Sequence, residues 1–474
     1  MENPREAAVA FDTGQLDKPT TGTQPRTIDG VTLSGKEINR LYDLFRRLHA
    51  RYLPIPGLVV NPDITYDRCQ FLFWAIIICA SRTFSQNPTT FPGLTRSLSR
   101  LAATSILEPW DTWDIVHSLL IVINWCLLEK TQARDLVFTL TGTLLHIVKQ
   151  SGSLGPATSV ERGPRKRHRD DQPVGYDPAV LRRSTLWAYT VSTYQHMFIV
   201  KGLSAHGILE ISHADNDPRS LWGIVPHDIL LELSAQELVT QCSTSVESLG
   251  VCRLTVEGEH ELSRLLLTWE QRAHGLRAKA YEAAYITIQM SMELPHYIKV
   301  LQHFHAATAC LSVLGMHCFR EHTLYLDDRC LKKLEVTACE VINLVQDLCV
   351  CLCPLAVAPT KVVAFALYLA GSILLRLIKG PPMPILDIPK ANMQLARAVA
   401  LATQMVVTDK GLENIVRTVL SDLQYSTKAF RAPDGSPAMK SRFPNRLVSA
   451  PILDAWYWWD EEFGHSSRSR LTMF

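Results

Sequence analysis

Apolar side chains recur at helical spacing in one segment after another of this chain. The longest stripe consists of Leu262, Leu265, Leu266, Trp269, Ala273, Leu276, Ala280 and Ala284. Steps of three and four residues place these side chains on one face of a long helix. Shorter stripes predict helices at about 67–84, 92–107, 112–129, 132–151, 179–203, 227–250, 295–319, 327–353, 359–379, 389–408 and 411–428. Because no segment alternates convincingly between apolar and polar residues with hairpin turns at its ends, we predict an all-α fold.

The two ends of the chain do not show this pattern. Residues 1–30 are rich in Pro, Thr, Gly and Asp and have no apolar period. We therefore predict a flexible N-terminal tail over residues 1–27. Ser34 and Glu37 have the spacing of a capping box and predict the start of the first helix. Residues 466–474 are predicted to form a C-terminal tail.

Composition and charge limit the classes of protein. Apolar residues make up 47% of the chain and charged residues 20%, which is enough apolar material for a large core. Apolar runs at 71–80, 115–128 and 362–375 reach at most 14 residues, whereas a membrane-spanning helix needs about 18 or more. We predict that these runs are buried core helices and that the chain contacts no membrane. The net charge of +2 excludes a globally basic surface for nucleic acid.

Motifs that would indicate catalysis are missing from the sequence. There is no G-x-G-x-x-G, no G-x-x-x-x-G-K-[ST] and no G-x-S-x-G. Residues 260–264 approach the zinc motif H-E-x-x-H, but Arg264 at the last position cannot bind zinc. His303 and His305 are two residues apart on a predicted helix and therefore face different directions. We predict that the chain is not an enzyme and uses no cofactor.

The 12 cysteines follow no secretory signal, which indicates reduced thiols in a cytosolic or nuclear protein. Cys349, Cys351 and Cys353 alternate along the chain, unlike the paired C-x2-C spacing of structural zinc sites. We predict that these three cysteines are core residues near the end of a helix.

A dense basic cluster interrupts the helical pattern within a loop at about 155–178 that is rich in Pro and Gly. The cluster consists of Arg165, Lys166, Arg167, His168 and Arg169. Such a cluster serves as a nuclear-import signal or a nucleic-acid contact in many proteins. The alternative is an ordinary solvated loop, and Asp170 and Asp171 directly after the cluster favour that alternative.

Acidic and aromatic residues are interleaved in the segment 454–463 near the C-terminus. Activation segments that bind coactivators have this composition. A terminal helix that docks its aromatic rings into the core has the same composition, since large rings contribute strongly when they are buried. We favour the docked helix.

Six segments of the sequence form a recognisable series. The most characteristic is Leu72-Phe73-Trp74-Ala75-Ile76, which is followed by Ala80-Ser81-Arg82. The others lie at 31–55, 119–152, 185–195, 370–387 and 454–463. Taken in order, they resemble the fungal-specific transcription factor regulatory domain, or middle homology region, in its leucine-biosynthesis-regulator-like branch. The resemblance implies a single large multi-helix regulatory domain over residues 28–465. It also implies a nuclear regulator of RNA polymerase II genes, of the pathway-specific kind that includes regulators of secondary-metabolite gene clusters.

Members of that family usually carry an N-terminal binuclear zinc cluster of six cysteines, which reads DNA. This chain has no cysteine before Cys69, and its cysteines nowhere reproduce the spacing of that cluster. The resemblance therefore implies that the chain reaches DNA only indirectly, or through a head that lies outside this sequence. Its expected partners are other transcription regulators or coactivators, in a homodimer or a heterodimer.

Three alternatives stay open at this point. The chain could be a DNA-binding-deficient co-regulator of a zinc-cluster factor. It could instead be a helical enzyme, since the members of a catalytic triad meet only in the fold. It could also be a cytoplasmic helical scaffold whose basic loop is merely surface.

The basic cluster provides a test of nuclear import. Replacing Arg165, Lys166, Arg167 and Arg169 by alanine should move a fluorescently tagged chain from the nucleus to the cytoplasm, because import receptors bind clustered positive charge. Replacing Arg182 and Arg183, which we expect to begin the next helix, should leave the distribution unchanged in fluorescence microscopy. Unchanged nuclear accumulation of the quadruple variant would remove the import hypothesis.

Overall fold

The structure is a computed structural model. It describes residues 22–50, 52–53, 61–82, 90–125, 135–151, 178–203, 225, 227–250, 255–289, 296–319, 328–352, 360–381, 383–406, 412–432, 434–438 and 441–464. Within these ranges the chain forms fifteen α-helices and one sheet of two short strands, which confirms the all-α prediction. The basic cluster at 165–169 lies outside the described residues.

The chain folds as two compact units, of which the first comprises residues 1–122 and 127–129 and the second the remaining residues. The predicted boundaries of one regulatory domain, 28–465, stay a prediction. The described elements of the first unit are β1 (Arg26–Ile28), β2 (Val31–Leu33), α1 (Gly35–Leu48), α2 (Pro62–Arg68), α3 (Gln70–Ser81), α4 (Thr90–Ser105) and α5 (Thr112–Asn124). The last two residues of α5 belong to the second unit.

The described part of the second unit contains ten further helices and two short 3-10 segments. The helices are α6 (Leu136–Gln150), α7 (Pro178–Lys201), α8 (His227–Glu247), α9 (Val256–Gln289), α10 (His296–Gly315), α11 (Asp328–Leu352), α12 (Lys361–Lys379), α13 (Ile388–Met405), α14 (Leu412–Tyr425) and α15 (Ala450–Phe463). The 3-10 segments are Met316–Phe319 and Pro444–Ser449. Most helices pack against their neighbours in sequence, and α8 also packs against α10.

In the first unit, α3 is surrounded by α1, α2 and α4. Every residue of α3 from 71 to 81 is buried, as predicted for this apolar run. The amphipathic helix α1 covers one side with Ile38, Leu41, Tyr42 and Phe45, which recur at steps of three and four residues. Its start is the predicted capping box, in which the Glu37 amide donates to the Ser34 hydroxyl and the Ser34 amide donates to the Glu37 carboxylate.

The structure differs from the sequence prediction at the beginning of this unit. Residues 26–33 form an antiparallel hairpin, with Thr27 opposite Thr32, in a region where we predicted a tail up to residue 27 and no strand. Asp29 and Gly30 both have positive φ, 46° and 82°. A two-residue hairpin turn requires this conformation, and an Asp-Gly pair is a strong sequence signal for it. That signal was overlooked because the flanking strands are only three residues long.

The centre of the second unit is α12, which packs against α10, α11, α13, α14 and α15. All of its residues from 362 to 377 are buried, which confirms the prediction of a core helix. Among the described residues it is the one helix long and apolar enough to cross a membrane, with a mean hydropathy of 1.9, and 89% of that apolar window is buried inside the protein. Gly371 allows close approach to α14, since an added Cβ would lie 2.5 Å from Leu420 Cδ1.

A buried ion pair joins α12 to the C-terminal helix α15. Arg376 pairs with Asp454, and their side chains are 4% and 1% exposed. Asp454 Oδ1 also accepts a hydrogen bond of 3.1 Å from the Arg442 amide. On the same helix Trp458 and Trp459 are buried. The segment 454–463 is therefore a docked helix in this structure, as favoured from the sequence.

The ion pair predicts a contrast between two variants of α15. Asp454→Ala should lower the free energy of unfolding by about 3–5 kcal/mol, because it deprives a buried guanidinium of its carboxylate. Glu461→Ala removes a pair with Arg442 at 3.4 Å in which the carboxylate is 55% exposed, and should cost about 1 kcal/mol or less. Urea unfolding followed by tryptophan fluorescence measures both free energies of unfolding. Equal losses in the two variants would contradict the role of Asp454 as the partner of a buried charge.

Candidate functional site

Polar side chains meet inside the second unit at the interface of α7, α8 and α10. Ser192 and His196 are one turn apart on α7, and Glu232 and Gln236 are one turn apart on α8. On α10 the polar residues are His305, Thr308 and Ser312. Since helix residues three, four or seven apart share a face, each helix directs its polar set to one side. We call these seven residues the polar cluster.

Glu232 connects the three helices. The Ser192 hydroxyl donates to Glu232 Oε1 at 3.0 Å, and His305 Nε2 lies 3.7 Å from Glu232 Oε2. The Glu232 side chain is 19% exposed and His305 is 6% exposed. Burial raises the pKa of Glu232 from 4.5 to about 7, while the hydrogen bond from Ser192 acts in the opposite direction. The carboxyl group therefore changes its charge near neutral pH.

His196 is a buried neutral imidazole in the same cluster, one turn from Ser192 on α7. Burial lowers its pKa from 6.5 to about 3, and the charges of Lys361 and His305 add to the effect. Its ring meets the edge of Phe365 on α12, with centroids 5.5 Å apart and planes at 87°. The Lys361 ammonium lies 3.0 Å from the Met197 sulfur. The polar cluster thus combines an ionisable carboxyl group with an imidazole that stays uncharged.

A small crevice adjoins the polar cluster. His196, Gln236, His305, Thr308 and Ser312 line it, together with apolar side chains that include Val239 and Phe365. It admits a molecule of about the size of water, so a larger ligand would require the helices to separate. The polar groups that line it can satisfy such a small guest with hydrogen bonds.

The order of the side chains bears on catalysis. In serine hydrolases a histidine lies between the serine and the carboxylate. Here the carboxylate of Glu232 lies between Ser192 and His305. This order suits the sharing of a proton or the binding of a small polar group, because the serine hydroxyl donates to a carboxylate and not to a histidine.

The sequence singled out other residues. Arg165, Lys166, Arg167, His168 and Arg169 lie outside the described residues, so their prediction is untested. Arg264, which breaks the H-E-x-x-H pattern, pairs with Glu261 at 2.7 Å. The His303 ring lies against Tyr281, with centroids 4.4 Å apart and planes tilted by 44°, whereas His305 faces Glu232. The two histidines therefore do face different directions.

The cysteine prediction is confirmed in part. Cys349 is buried close to the end of α11 and Cys351 is half-buried, whereas Cys353 lies outside the described residues. Sequence reasoning missed Ser192, His196 and Glu232 altogether. The available signal was polar side chains at one-turn spacing within apolar segments, and it does not say which helices will meet.

Comparison with known proteins yields one informative match. A stretch of 155 residues, 32% of the chain, is 26% identical to the Transcriptional regulatory protein SEF1 of Candida albicans. The match covers 16% of that protein's length. No family model matches the chain, and no solved structure matches it. The chain is thus distantly similar to part of a fungal transcriptional regulator, and the middle homology assignment stays a prediction.

The raised pKa of Glu232 predicts a pH effect on stability. Because the folded protein holds this proton up to about pH 7 and the unfolded chain only to about 4.5, the stability that Glu232 contributes is present below pH 4.5 and is lost as the pH rises to 7. Glu232→Gln keeps the shape and does not titrate. The variant should therefore gain about 1–3 kcal/mol relative to the wild type as the pH rises from about 5 to 7.5.

Comparing the variant with the wild type at each pH removes the contribution of His196. With its depressed pKa, His196 contributes stability that is present above pH 6.5 and is lost as the pH falls towards 3. The control is Glu237→Gln on the same helix, where the carboxylate accepts from Gln241 at 3.1 Å. Urea unfolding at several pH values is the measurement. If the free energy of unfolding of Glu232→Gln changed with pH in parallel with that of the wild type, the raised pKa of Glu232 would be refuted.

Proposed function

We propose that this chain regulates transcription of RNA polymerase II genes through its helical body. The observation that carries the proposal is the match to a transcriptional regulatory protein. The all-helical architecture agrees with the fold that the resemblance to the middle homology region implies. The regulation is proposed to be pathway-specific, as for a secondary-metabolite gene cluster, and to take place in the nucleus.

The chain is proposed to act through other proteins. A zinc-cluster transcription factor, as partner or as a head outside this sequence, would read the DNA bases, because base contacts carry the specificity. The helical body would bind that partner or a coactivator. We propose no catalytic step for it.

Within this function we assign signal response to the polar cluster. Buried ionisable groups with strongly shifted pKa values concentrate at functional sites. Glu232 on α8 and His196 on α7 have such shifts, and these two helices pack against each other. A proton or a small polar molecule that binds Glu232 would change how these helices pack, and so change the surface offered to a partner.

Chromatin immunoprecipitation of the tagged chain in its native cells tests the proposal. We expect enrichment at a set of promoters and altered transcript levels of the same genes when the chain is deleted. Asp454→Ala should abolish the enrichment because it destabilises the second unit, whereas the matched Glu461→Ala variant should preserve it.

The same experiment separates the variants of the proposal. Enrichment that disappears when a zinc-cluster partner is deleted identifies a co-regulator without DNA binding of its own. Enrichment that persists, together with binding of the purified chain to the recovered promoters, indicates that the chain reads DNA itself. If an intact chain shows no promoter enrichment and its deletion changes no transcript, transcriptional regulation is refuted. The scaffold hypothesis then stands.

A further inference from the structure

Three metal-binding types of side chain converge in a second place in the same unit. Glu270 lies on α9, His317 in the 3-10 segment Met316–Phe319, and Cys330 in the first turn of α11. One ligand atom from each lies within 4.8 Å of those of the other two. All three residues are buried, with 5%, 2% and 9% exposure. Their convergence therefore places nitrogen, oxygen and sulfur donors around one point away from bulk water.

Hydrogen bonds already orient the carboxylate. The distance between His317 Nε2 and Glu270 Oε1 is 2.7 Å, and the Lys333 ammonium donates to Glu270 Oε2 at 2.8 Å. Lys333 is one turn from Cys330 on α11, so both reach Glu270 from the same helix face. Glu270 thus directs one oxygen to the imidazole while the other is held by a lysine. Outer hydrogen bonds of this kind commonly fix a metal-binding carboxylate.

The donor set is that of zinc. Zn²⁺ binds thiolate, imidazole and carboxylate, and sites with three protein ligands keep a fourth position for water. Tetrahedral zinc with these ligands requires ligand atoms about 3.3–3.6 Å apart. Side-chain rotation therefore has to widen the 2.7 Å between His317 Nε2 and Glu270 Oε1 and to shorten any separation near the upper limit of 4.8 Å. The Cys330 thiol would release its proton to solvent on binding.

The charges balance as well. The carboxylate and the thiolate together offset the double charge of the ion. Lys333 is the remaining cation, and its side chain is 44% exposed, so water screens its repulsion. An ion pair between Glu270 and Lys333 with no metal function is the competing interpretation.

We propose that Glu270, His317 and Cys330 form a zinc site. The ion would join α9, the 3-10 segment and α11, which are separate in sequence, and would stabilise the second unit by binding only its folded form. The motif search could not find it, because the three ligands come from three elements and have no short common spacing. This proposal is independent of transcriptional regulation, since metal binding is measured on the purified chain.

Metal titration of the full chain, purified under reducing conditions and freed of metal with a chelator, provides the test. Co²⁺ should bind with one equivalent that gives the thiolate-to-cobalt charge-transfer absorption of a tetrahedral site, and Zn²⁺ should abolish that absorption by displacement. Zn²⁺ should also raise the melting temperature. A folded wild-type chain that binds neither Co²⁺ nor Zn²⁺ in this titration would overturn the proposal in favour of the ion pair.

Matched cysteine variants decide where the metal binds. Cys330→Ser should abolish the absorption and weaken binding at least tenfold, whereas Cys339→Ser, at a buried cysteine on the same helix, should change neither. Glu270→Gln should keep the absorption and weaken binding at least tenfold, with folding checked by circular dichroism. Binding by folded Cys330→Ser that equals the wild type would place the metal elsewhere and refute the site. If Glu270→Gln does not fold, the comparison of Cys330→Ser with Cys339→Ser decides the question.

Discussion

The apolar helix α12 is buried on all sides, so other helices have to cover every side of it. Its residues 362–377 lie inside the second unit, so α10, α11, α13, α14 and α15 are arranged around it. Arg376 is the one charged residue among those buried positions. A guanidinium in such surroundings needs a carboxylate, and Asp454 on α15 supplies it. This ion pair therefore helps to fix the last described helix against α12, together with the buried rings of Trp458 and Trp459.

The second unit also encloses polar groups in the polar cluster and around Glu270. The carboxyl groups at these two places differ in their pKa. In the polar cluster, the carboxyl group of Glu232 keeps its proton to about pH 7, because burial penalises its charge more than its neighbours stabilise it. At Glu270 the balance is reversed, since His317 and Lys333 lie within hydrogen-bond distance and lower the pKa of the carboxyl group to about 2 despite its burial. Two glutamates in one helical unit thus differ in charge near neutral pH. The cause lies in their partners, not in depth alone.

Most of the helical architecture could be predicted from sequence, because spacing and capping are local. Ser34 with Glu37 marked the start of α1, and the stripe from Leu262 marked α9. The helix Pro62–Arg68 escaped detection since seven residues are too few for a period, although Asn61 caps it and Pro62 follows at its first position. The polar cluster and the Glu270 site were not predictable. They depend on which helix faces meet, and contacts such as that between Ser192 and Glu232, 40 residues apart, leave no local pattern.

The link between Arg376 and Asp454 also has a consequence for synthesis. The ribosome synthesises Arg376 before Asp454, and the roughly 80 residues between them take several seconds to translate. During that interval α12 has emerged with one of its apolar sides still lacking the cover of α15. A nascent chain in this state exposes apolar surface that promotes aggregation, so the growing polypeptide is expected to depend on chaperones until α15 has been made.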